Sequence, residues 1–184
     1  NNTITLVSLS DGTYSDCTIT VTDNSSNSVT LNINSFVIDT TAPTVSSISP
    51  TDNQSGVSIS TNISVTFSES IDNASVTTNT SDTSCSGTLQ VSSNNFSSCV
   101  QISSSPSVTN STKMFTVDPT DNLSHSNTYK IRVTTAVKDS AGNTLSSQYQ
   151  SSSGFTTWSG TQQLGTSSND STELVMVDSE NNIY

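Results

Sequence analysis

The sequence predicts an all-β protein whose antiparallel strands pack as a sandwich. Apolar residues make up only 29% of the 184 positions, and most of them alternate with Ser or Thr in short runs. A period of two is the pattern of a half-buried strand. Turn-forming residues separate the runs, which is typical of antiparallel sandwiches. Such a polar composition also suits disorder, but the alternation favours strands over most of the chain.

The first segment predicts a hairpin followed by a stiff joint. Its two arms are the alternating runs at residues 17–21 and 29–33, and DNSSN at residues 23–27 forms the turn. A third apolar run at residues 36–38 ends in DTTAP at residues 39–43. Because proline fixes its own backbone angle, we expect this joint to set the orientation of neighbouring domains.

The middle of the chain supplies the strands of a full domain. Six runs predict strands, at residues 44–49, 57–60, 62–67, 88–91, 99–103 and 113–117. One helical turn is expected after Phe67, with Asp72 as its cap. A final hairpin has an arm at residues 129–133 and a turn at residues 139–143, with Leu145 and Phe155 beyond it. Residues 43–157 therefore predict one complete sandwich, and residues 1–42 the last strands of another.

The two hairpins share one plan, which predicts an internal repeat. In each, a tyrosine (Tyr14 or Tyr129) precedes an alternating strand, an Asp-to-Asn turn and a further strand. The turns read DNSSN and DSAGN. The tyrosine resembles the one that pins a corner in Ig-like sandwiches.

Several motifs in this chain resemble the bacterial Ig-like repeats of large surface proteins, in particular the type associated with S-layer proteins. They are the TAP entry, P-x-D-x-x-x-G-V in PTDNQSGV, V-T-F-S-E in VTFSES, and V-K-D-x-A-G-N in VKDSAGN. The resemblance covers nearly all of residues 36–157, and residues 1–42 resemble the end of a related repeat. It implies an antiparallel Ig-like sandwich preceded by an incomplete one.

The C-terminal segment follows a different pattern. Residues 158–184 contain QLGT and VDSENNIY, which resemble the opening of a bacterial β-propeller-type repeat. One such unit cannot bury its own apolar face. We therefore expect the start of a further domain here.

The charge balance excludes two classes of partner. The net charge is −11, with only four Lys or Arg, so nucleic acid and anionic membranes are repelled. No run approaches the roughly 20 apolar residues of a membrane-spanning helix. Divalent cations are the natural counter-ions.

Three cysteines bear on stability and compartment. Cys85 and Cys99 bracket two short strand-like runs at a hairpin-like spacing, and a disulfide between them would close a loop of about 15 residues. The alternative is a pair of buried thiols. Cys17 is then left over, and in a secreted chain an odd cysteine indicates a missing partner.

Acidic residues at the predicted joint suggest calcium, whose ligands are carboxylate and carbonyl oxygens. Asp23 lies in the first turn, Asp39 in the joint and Asp52 in the next loop, so the three could converge. A second set consists of Asp118, Asp121 and Asp139. The alternative is that all of them are turn residues, where Asp is common.

Candidates for catalysis are weak. Glu69 and Asp72 could be a glycosidase pair, but such a pair needs a cleft, and a cap with a solvated turn explains them. His125 has no nucleophile-elbow serine to activate. Trp158 could stack on a sugar, although packing at the domain boundary suits it better.

Together these features predict a non-catalytic spacer module of a secreted or surface-displayed bacterial protein, located at the cell surface or outside the cell. It would present other modules or contribute to adhesion. The expected partners are neighbouring domains or copies of the same protein, with cell-surface or matrix glycans as further candidates. Two alternatives stay open: a subunit of an extracellular filament built by strand donation, and a carbohydrate-binding accessory module of a secreted enzyme.

Overall fold

The computed structural model describes residues 8–159, and within this range the chain forms twelve strands and a single 3-10 turn. The chain divides into a first unit, Asn1–Ala42, and a second unit, Pro43–Tyr184. In the first unit the strands are β1 (Gly12–Tyr14), β2 (Thr18–Thr22), β3 (Ser28–Asn32) and β4 (Phe36–Ile38). β1 pairs with β4 and β2 with β3, both antiparallel. No described helix is long and apolar enough to cross a membrane.

The second unit contains two antiparallel sheets. Its strands are β5 (Val45–Ser49), β6 (Ile63–Phe67), β7 (Leu89–Ser92), β8 (Ser107–Thr109), β9 (Met114–Val117), β10 (Thr128–Val133), β11 (Tyr149–Gln150) and β12 (Phe155–Thr156). One sheet has the order β5-β6-β9-β8. In the other, β10 is central: Arg132 pairs with Gln90 of β7 on one side and Gln150 of β11 on the other. The predicted all-β, antiparallel sandwich is confirmed.

The core follows from the two-residue alternation. In β6 the side chains of Ile63, Val65 and Phe67 are buried, whereas the intervening Ser and Thr are half-buried. Phe115 of β9 lies opposite Val65 and meets the Phe67 ring edge-on, with the ring centroids 5.8 Å apart. Burial of each large apolar side chain stabilises the fold by roughly 1.5–3 kcal/mol. Closely spaced pairs of this kind fill the space between the sheets.

Two predicted strands are wrong. Residues 57–60 contribute only one bridge, from Val57 to Thr157, because the chain turns at once through a hydrogen bond from the Thr61 amide to the Ser58 carbonyl. Residues 99–103 likewise form only the bridge between Ile102 and Pro119. These short runs have apolar alternation, but they lack a continuous partner along their length.

The segment between the cysteines also differs from prediction. It contains one strand, β7, rather than two, and the chain then turns through Asn95 and Phe96 with φ of 57° and 63°. β8 and β11 were not predicted, since they are short and polar. The expected helical turn is confirmed: Asn73–Ser75 is a 3-10 turn, and the Asp72 carboxylate accepts from the Ala74 amide at 3.0 Å.

The internal repeat is visible in an aromatic pair. Tyr14 of β1 lies opposite Phe36 of β4 with stacked rings 5.3 Å apart. Tyr129 of β10 lies opposite Phe155 of β12 with stacked rings 5.7 Å apart. The same tyrosine–phenylalanine pair therefore joins the first and last strands of both hairpin segments.

Both tyrosines also tie their hydroxyl groups to backbone shortly upstream. The Tyr14 hydroxyl donates to the Ser10 carbonyl at 2.8 Å, and the Tyr129 hydroxyl accepts from the Ser124 amide at 2.8 Å. This is the bonding expected of a tyrosine that pins a corner in an Ig-like sandwich.

Candidate functional site

The Asp139 carboxylate organises the loop that follows it. Its Oδ1 accepts from the amides of Ala141, Gly142 and Asn143 at 2.8, 2.6 and 2.8 Å. Its Oδ2 accepts from the Asn143 side-chain amide at 2.8 Å. Short Asp side chains commonly bond the backbone a few residues on, and here one carboxylate closes a whole five-residue loop.

The Asp23 loop repeats this arrangement in the first unit. Asp23 Oδ1 accepts from the Ser25 and Asn27 amides at 2.8 and 2.9 Å, and Oδ2 accepts from the Asn27 side chain at 2.9 Å. The fourth residue of each loop has a positive φ, 67° at Ser26 and 100° at Gly142. The two turns that the sequence shows as a repeat therefore share their hydrogen-bond pattern.

Asp52 holds together two segments that are far apart in sequence. Its carboxylate accepts from the Ser152 hydroxyl at 2.6 Å and from the Ser152, Ser153 and Gly154 amides at 3.1, 3.1 and 2.6 Å. Gly154 has φ +81°, and a Cβ there would overlap the Tyr129 carbonyl oxygen. The motif P-x-D-x-x-x-G-V thus supplies the acceptor of an inter-segment clamp.

Hydrogen bonds favour the ionised form of all three carboxylates. The Asn27 side chain, followed by the Asn27 amide, lowers the pKa of Asp23. The Ser152 hydroxyl is the main cause of the lowered pKa of Asp52. At Asp139 burial acts to raise the pKa, but the donors from Asn143, Gly142 and Ala141 outweigh it and the pKa is lowered.

The calcium prediction concerned Asp23, Asp39 and Asp52. Asp23 and Asp39 belong to the first unit and Asp52 to the second. Asp23 accepts hydrogen bonds from its own loop and Asp52 from residues 152–154, as described above. Asp39 Oδ1 accepts from the Thr41 amide at 3.0 Å. Calcium at these residues stays a prediction.

The residues of the second predicted acidic set, Asp118, Asp121 and Asp139, differ in their exposure to solvent. Asp118 and Asp121 are exposed. Asp139 is only 2% exposed, and both of its oxygens accept hydrogen bonds within the loop. Its environment therefore differs from that of the other two residues.

A disulfide joins Cys85 and Cys99, with their Cα atoms 5.0 Å apart. Cys17 is a free, half-buried thiol. Sequence reasoning missed Arg132, whose guanidinium lies 3.9 Å from the centre of the Phe96 ring within this loop. Arg132 also donates from Nε to the Gln90 side chain at 2.7 Å, and Gln90 donates to the Cys85 carbonyl at 2.8 Å. These contacts connect β10 to the disulfide loop.

Three other residues considered from the sequence, Asp72, His125 and Trp158, make structural contacts. Asp72 caps the 3-10 turn. His125 Nδ1 lies 3.3 Å from the Trp158 carbonyl oxygen, and the two rings meet edge-on with centroids 5.8 Å apart. Trp158 in turn donates its amide to the Val57 carbonyl at 2.8 Å.

One surface hollow among the described residues is polar. It has a volume of about 370 Å³ and is lined by Ser92, Ser93, Asn94, Asn95, Thr128 and Lys130. Ligand pockets are usually lined mainly by apolar and aromatic side chains, and no aromatic ring lines this one. The hollow therefore lacks the stacking platform that a sugar site would use.

Comparison with known families gives the assignment. The model of the family described as "Bacterial Ig-like domain" matches residues 39–157, a segment that carries both the Asp52 clamp and the Asp139 loop. The chain belongs to the bacterial Ig-like domain family. This confirms the resemblance predicted from the motifs. The predicted propeller-type repeat at residues 158–184 lies almost entirely outside the described residues and stays a prediction.

Three solved chains are similar to this bacterial Ig-like chain. "Structure of surface layer protein SbsC, domains 1-6" is 22% identical over 65% of this chain and 14% of that one, with a TM-score of 0.45. "Crystal structure of the S-layer protein rSbsC(31-844)" is 20% identical over 78% and 19%, with a TM-score of 0.44. "Crystal structure of the N-terminal part of the bacterial S-layer protein SbsC" is 19% identical over 78% and 32%, with a TM-score of 0.45.

The match to the S-layer chains is partial. The Ig-like chain spans less than a third of the length of each of them. No curated protein matches its sequence. The family assignment therefore depends on the match over residues 39–157 alone.

Proposed function

We propose that this chain is a non-catalytic structural module, a spacer within a secreted or surface-displayed bacterial protein. One observation carries the proposal: the motif carboxylates of the bacterial Ig-like domain bind the chain's own loops. Asp52 and Asp139 each accept hydrogen bonds from four donor groups of the backbone and side chains around them. Carboxylates whose oxygens already accept hydrogen bonds from the chain itself stabilise loops.

Rigid loops and a disulfide suit a module whose role is to present neighbouring modules of the same protein. Charged hydrogen bonds are each worth about 1.5–3 kcal/mol, so the Asp52 clamp resists separation of the two segments that it joins. The Cys85–Cys99 disulfide restrains the loop beside β7. Structural disulfides also persist in oxidising surroundings, which supports a location outside the cytoplasm.

Surface chemistry supports the same role. With a net charge of −11, copies of the chain repel one another and anionic polymers. The outward positions of β6 are Ser64 and Thr66, which are neutral and polar. The expected partners are therefore neighbouring domains of the same protein.

The proposal is tested in the producing bacterium by replacing residues 43–157 with an unrelated Ig-like sandwich of similar length. A spacer role predicts that flanking epitopes stay accessible to protease and antibody on intact cells after this replacement. Deletion of the segment should reduce that accessibility. A replacement that folds and is exported but abolishes adhesion would contradict a purely structural role.

A second measurement separates presentation from ligand capture. The purified chain should bind no glycan on an array, and Trp158→Ala should change nothing. Glycan binding that is lost in Trp158→Ala, with the melting temperature preserved, would instead establish the carbohydrate-binding alternative.

A further inference from the structure

The polar hollow described above lies where β7 ends before β10 does. The antiparallel register pairs β10 with β7 from Val133 back to Lys130, whose partner is Ser92, the last residue of β7. β10 itself begins two residues earlier, at Thr128, and there it pairs with β12. The chain leaves the sheet after Ser92 and turns through residues 93–98. The hollow, of about 370 Å³, therefore lies beside the part of β10 that β7 does not cover.

The wall of the hollow is held in place by the chain itself. Ser92 is buried, and its hydroxyl donates to the Ser98 carbonyl at 2.7 Å. Asn94 Oδ1 accepts from the Ser98 amide at 3.0 Å, and Asn94 Nδ2 donates to the Ser98 hydroxyl at 2.7 Å. The Cys85–Cys99 disulfide closes the same segment. A ligand would therefore meet a preorganised wall, which lowers the entropic cost of binding.

The side chains that line the hollow are neutral hydrogen-bonding groups and one cation. They are Ser, Asn and Thr side chains together with Lys130, and neither Asp nor Glu is among them. No hydrogen bond or ion pair within residues 8–159 engages the Lys130 ammonium. Arg132, two positions further along β10, is instead engaged by the Gln90 side chain and the Phe96 ring. Of these two cations, Lys130 is the one available to a ligand.

We propose that the hollow binds a carboxylate side chain, Asp or Glu, presented by a neighbouring module of the same protein. A carboxylate accepts hydrogen bonds at both oxygens, and an ammonium surrounded by hydroxyl and amide groups supplies the donors. The chain has 15 Asp or Glu against four Lys or Arg, so modules of similar composition carry many acidic side chains. The inference rests on the proposed spacer function, to which it adds the chemistry and the place of a contact between modules.

The overall charge of the chain makes this contact selective rather than preventing it. The net charge of −11 opposes non-specific association of acidic modules. Salt screens exposed charges beyond about 8 Å at physiological ionic strength, so a carboxylate in direct contact with Lys130 is attracted locally. An acidic sugar is the less suitable occupant, because no aromatic ring lines the hollow to stack on its ring face.

Titration of the full 184-residue chain with N-acetyl-glutamate N-methylamide tests the site directly. The NMR signals of the Lys130 side chain and of the Ser93 and Asn95 amides should shift and saturate. The glutamine counterpart has nearly the same shape without the charge. It should bind at least about tenfold more weakly, because the charge-assisted hydrogen bond to the ammonium is lost.

Matched variants separate the hollow from a general effect of charge. Lys130→Gln should weaken binding of the glutamate compound by at least about tenfold. Lys138→Gln removes the same charge at an exposed position outside the hollow and should leave the affinity unchanged. Asn95→Gly accommodates the positive φ of 57° at this position but removes the side-chain amide, so it should weaken binding several-fold. The melting temperature of each variant shows whether it is folded.

Cross-linking on intact cells of the producing bacterium identifies the natural occupant. A water-soluble carbodiimide joins an amine to a carboxylate that is in contact with it. Mass spectrometry of the digested protein should find Lys130 linked to an Asp or Glu outside residues 43–157. That peptide should disappear in Lys130→Gln and persist in Lys138→Gln.

Three results would overturn the proposal. The first is equal affinity for the glutamate and glutamine compounds, or equal loss of affinity in Lys130→Gln and Lys138→Gln. The second is the absence of a cross-link from Lys130 to a carboxylate outside residues 43–157. The third is tighter binding of a uronic acid oligosaccharide that Lys130→Gln abolishes, which would identify an acidic glycan as the occupant. Failure of the spacer function would instead appear as lost adhesion in the segment-replacement experiment, with the glutamate titration unchanged.

Discussion

Asp52 and Gly154 meet where the first loop of the second unit contacts the turn before β12. The Gly154 amide donates to the Asp52 carboxylate at 2.6 Å, and its positive φ of +81° aims that amide at the oxygen. The position has no room for a side chain, because a Cβ would overlap the Tyr129 carbonyl oxygen. A single glycine therefore serves both the clamp and the close approach to β10.

Gly154→Ala should destabilise the second unit by about 2–4 kcal/mol, which combines left-handed backbone strain with steric overlap. Urea unfolding of the full chain measures the loss. Gly142→Ala is the matched control: φ is +100° there but no atom lies within 4 Å of the added Cβ, so only about 1–2 kcal/mol is expected. Equal losses of unfolding free energy in the two variants would show that the structure relaxes to remove the steric overlap at residue 154.

The Asp52 clamp should make stability depend on acid. The folded pKa of Asp52 is lowered, chiefly by the Ser152 hydroxyl, from an ordinary value of 3.8. A group with a depressed folded pKa contributes its stability above the unfolded pKa and loses it as pH falls through the folded pKa. The free energy of unfolding should therefore drop as pH is lowered below about 4.

Asp52→Asn should be less stable than the parent by about 1–3 kcal/mol at pH 7, since the amide cannot accept all four hydrogen bonds. Its stability should also fall less steeply than the parent's between pH 4 and pH 2. Urea titrations at several pH values provide the comparison, and Asp118→Asn, at an exposed position, is the control. If the free energy of unfolding changed with pH in parallel for Asp52→Asn and the parent, protonation of Asp52 would be excluded as the cause of the acid sensitivity.

At the scale of elements, the turn that follows β7 depends on the disulfide and a cation–π contact rather than on a strand ladder. Residues 93–98 contain two successive positive φ values, at Asn95 and Phe96. The Cys85–Cys99 bond restrains the loop, and the Arg132 guanidinium covers the Phe96 ring at 3.9 Å. These contacts hold the turn although the segment between the two cysteines contains no strand other than β7.

Replacing both Cys85 and Cys99 by Ser should lower the free energy of unfolding by about 3 kcal/mol, the chain-entropy estimate for a loop of this length. Chemical denaturation measures this, and Cys17→Ser is the control, with little change expected. Non-reducing peptide mapping of the parent should find Cys85 linked to Cys99. A peptide that links Cys17 to either of them would contradict the assignment.

The elements themselves were predictable only where the apolar alternation was long enough. β6, with Ile63, Val65 and Phe67, and β10, with Tyr129, Ile131 and Val133, were predicted to within a residue. Val57 and Ile102 lie in runs that look alike but make single bridges. Whether a short run becomes a strand depends on a partner strand along its whole length, and a local pattern does not specify that partner.

At the scale of the whole chain, the two units should differ in resistance to protease. The second unit has a continuous buried core, whereas the described part of the first unit has no buried residue. Cleavage requires local opening, which costs little where few apolar contacts must break. Limited proteolysis followed by mass spectrometry should leave a fragment close to residues 43–157. First cuts inside that fragment, with residues 8–42 intact, would contradict this expectation.

Calcium binding, which would act on the chain as a whole, remains a prediction. If Asp39 takes part in binding the ion, calcium should raise the melting temperature of the chain and narrow the range of inter-domain angles seen by small-angle scattering. Carboxylate oxygens are ligands that calcium accepts, so Asp39→Asn should remove both effects while Asp118→Asn keeps them. An unchanged melting temperature and scattering curve after chelation would leave Asp39 as a turn residue only.

The sequence by itself determined features whose partners are close along the chain. Asp23 and Asp139 bond to residues at most four positions ahead, so the five-letter turns DNSSN and DSAGN already specify their loops. The alternating runs determined the fold class, because a strand needs a period of two to bury one face. The cap at Asp72 is local in the same sense.

Only the tertiary structure decided features whose partners are distant. Ser152, which donates to Asp52, lies 100 positions further along the chain, and Arg132 meets Gln90 across 42 positions. Val21 and Val137 hold equivalent places in two similar hairpins, yet one is 54% exposed and the other 0%. Both are valines two positions before the Asp of the loop, so the difference comes from packing: in the second unit Val137 belongs to a hydrophobic core that includes distant residues such as Ile63 and Phe115. The burial of a side chain depends on distant parts of the chain, and a local sequence pattern does not specify which distant residues will pack against it.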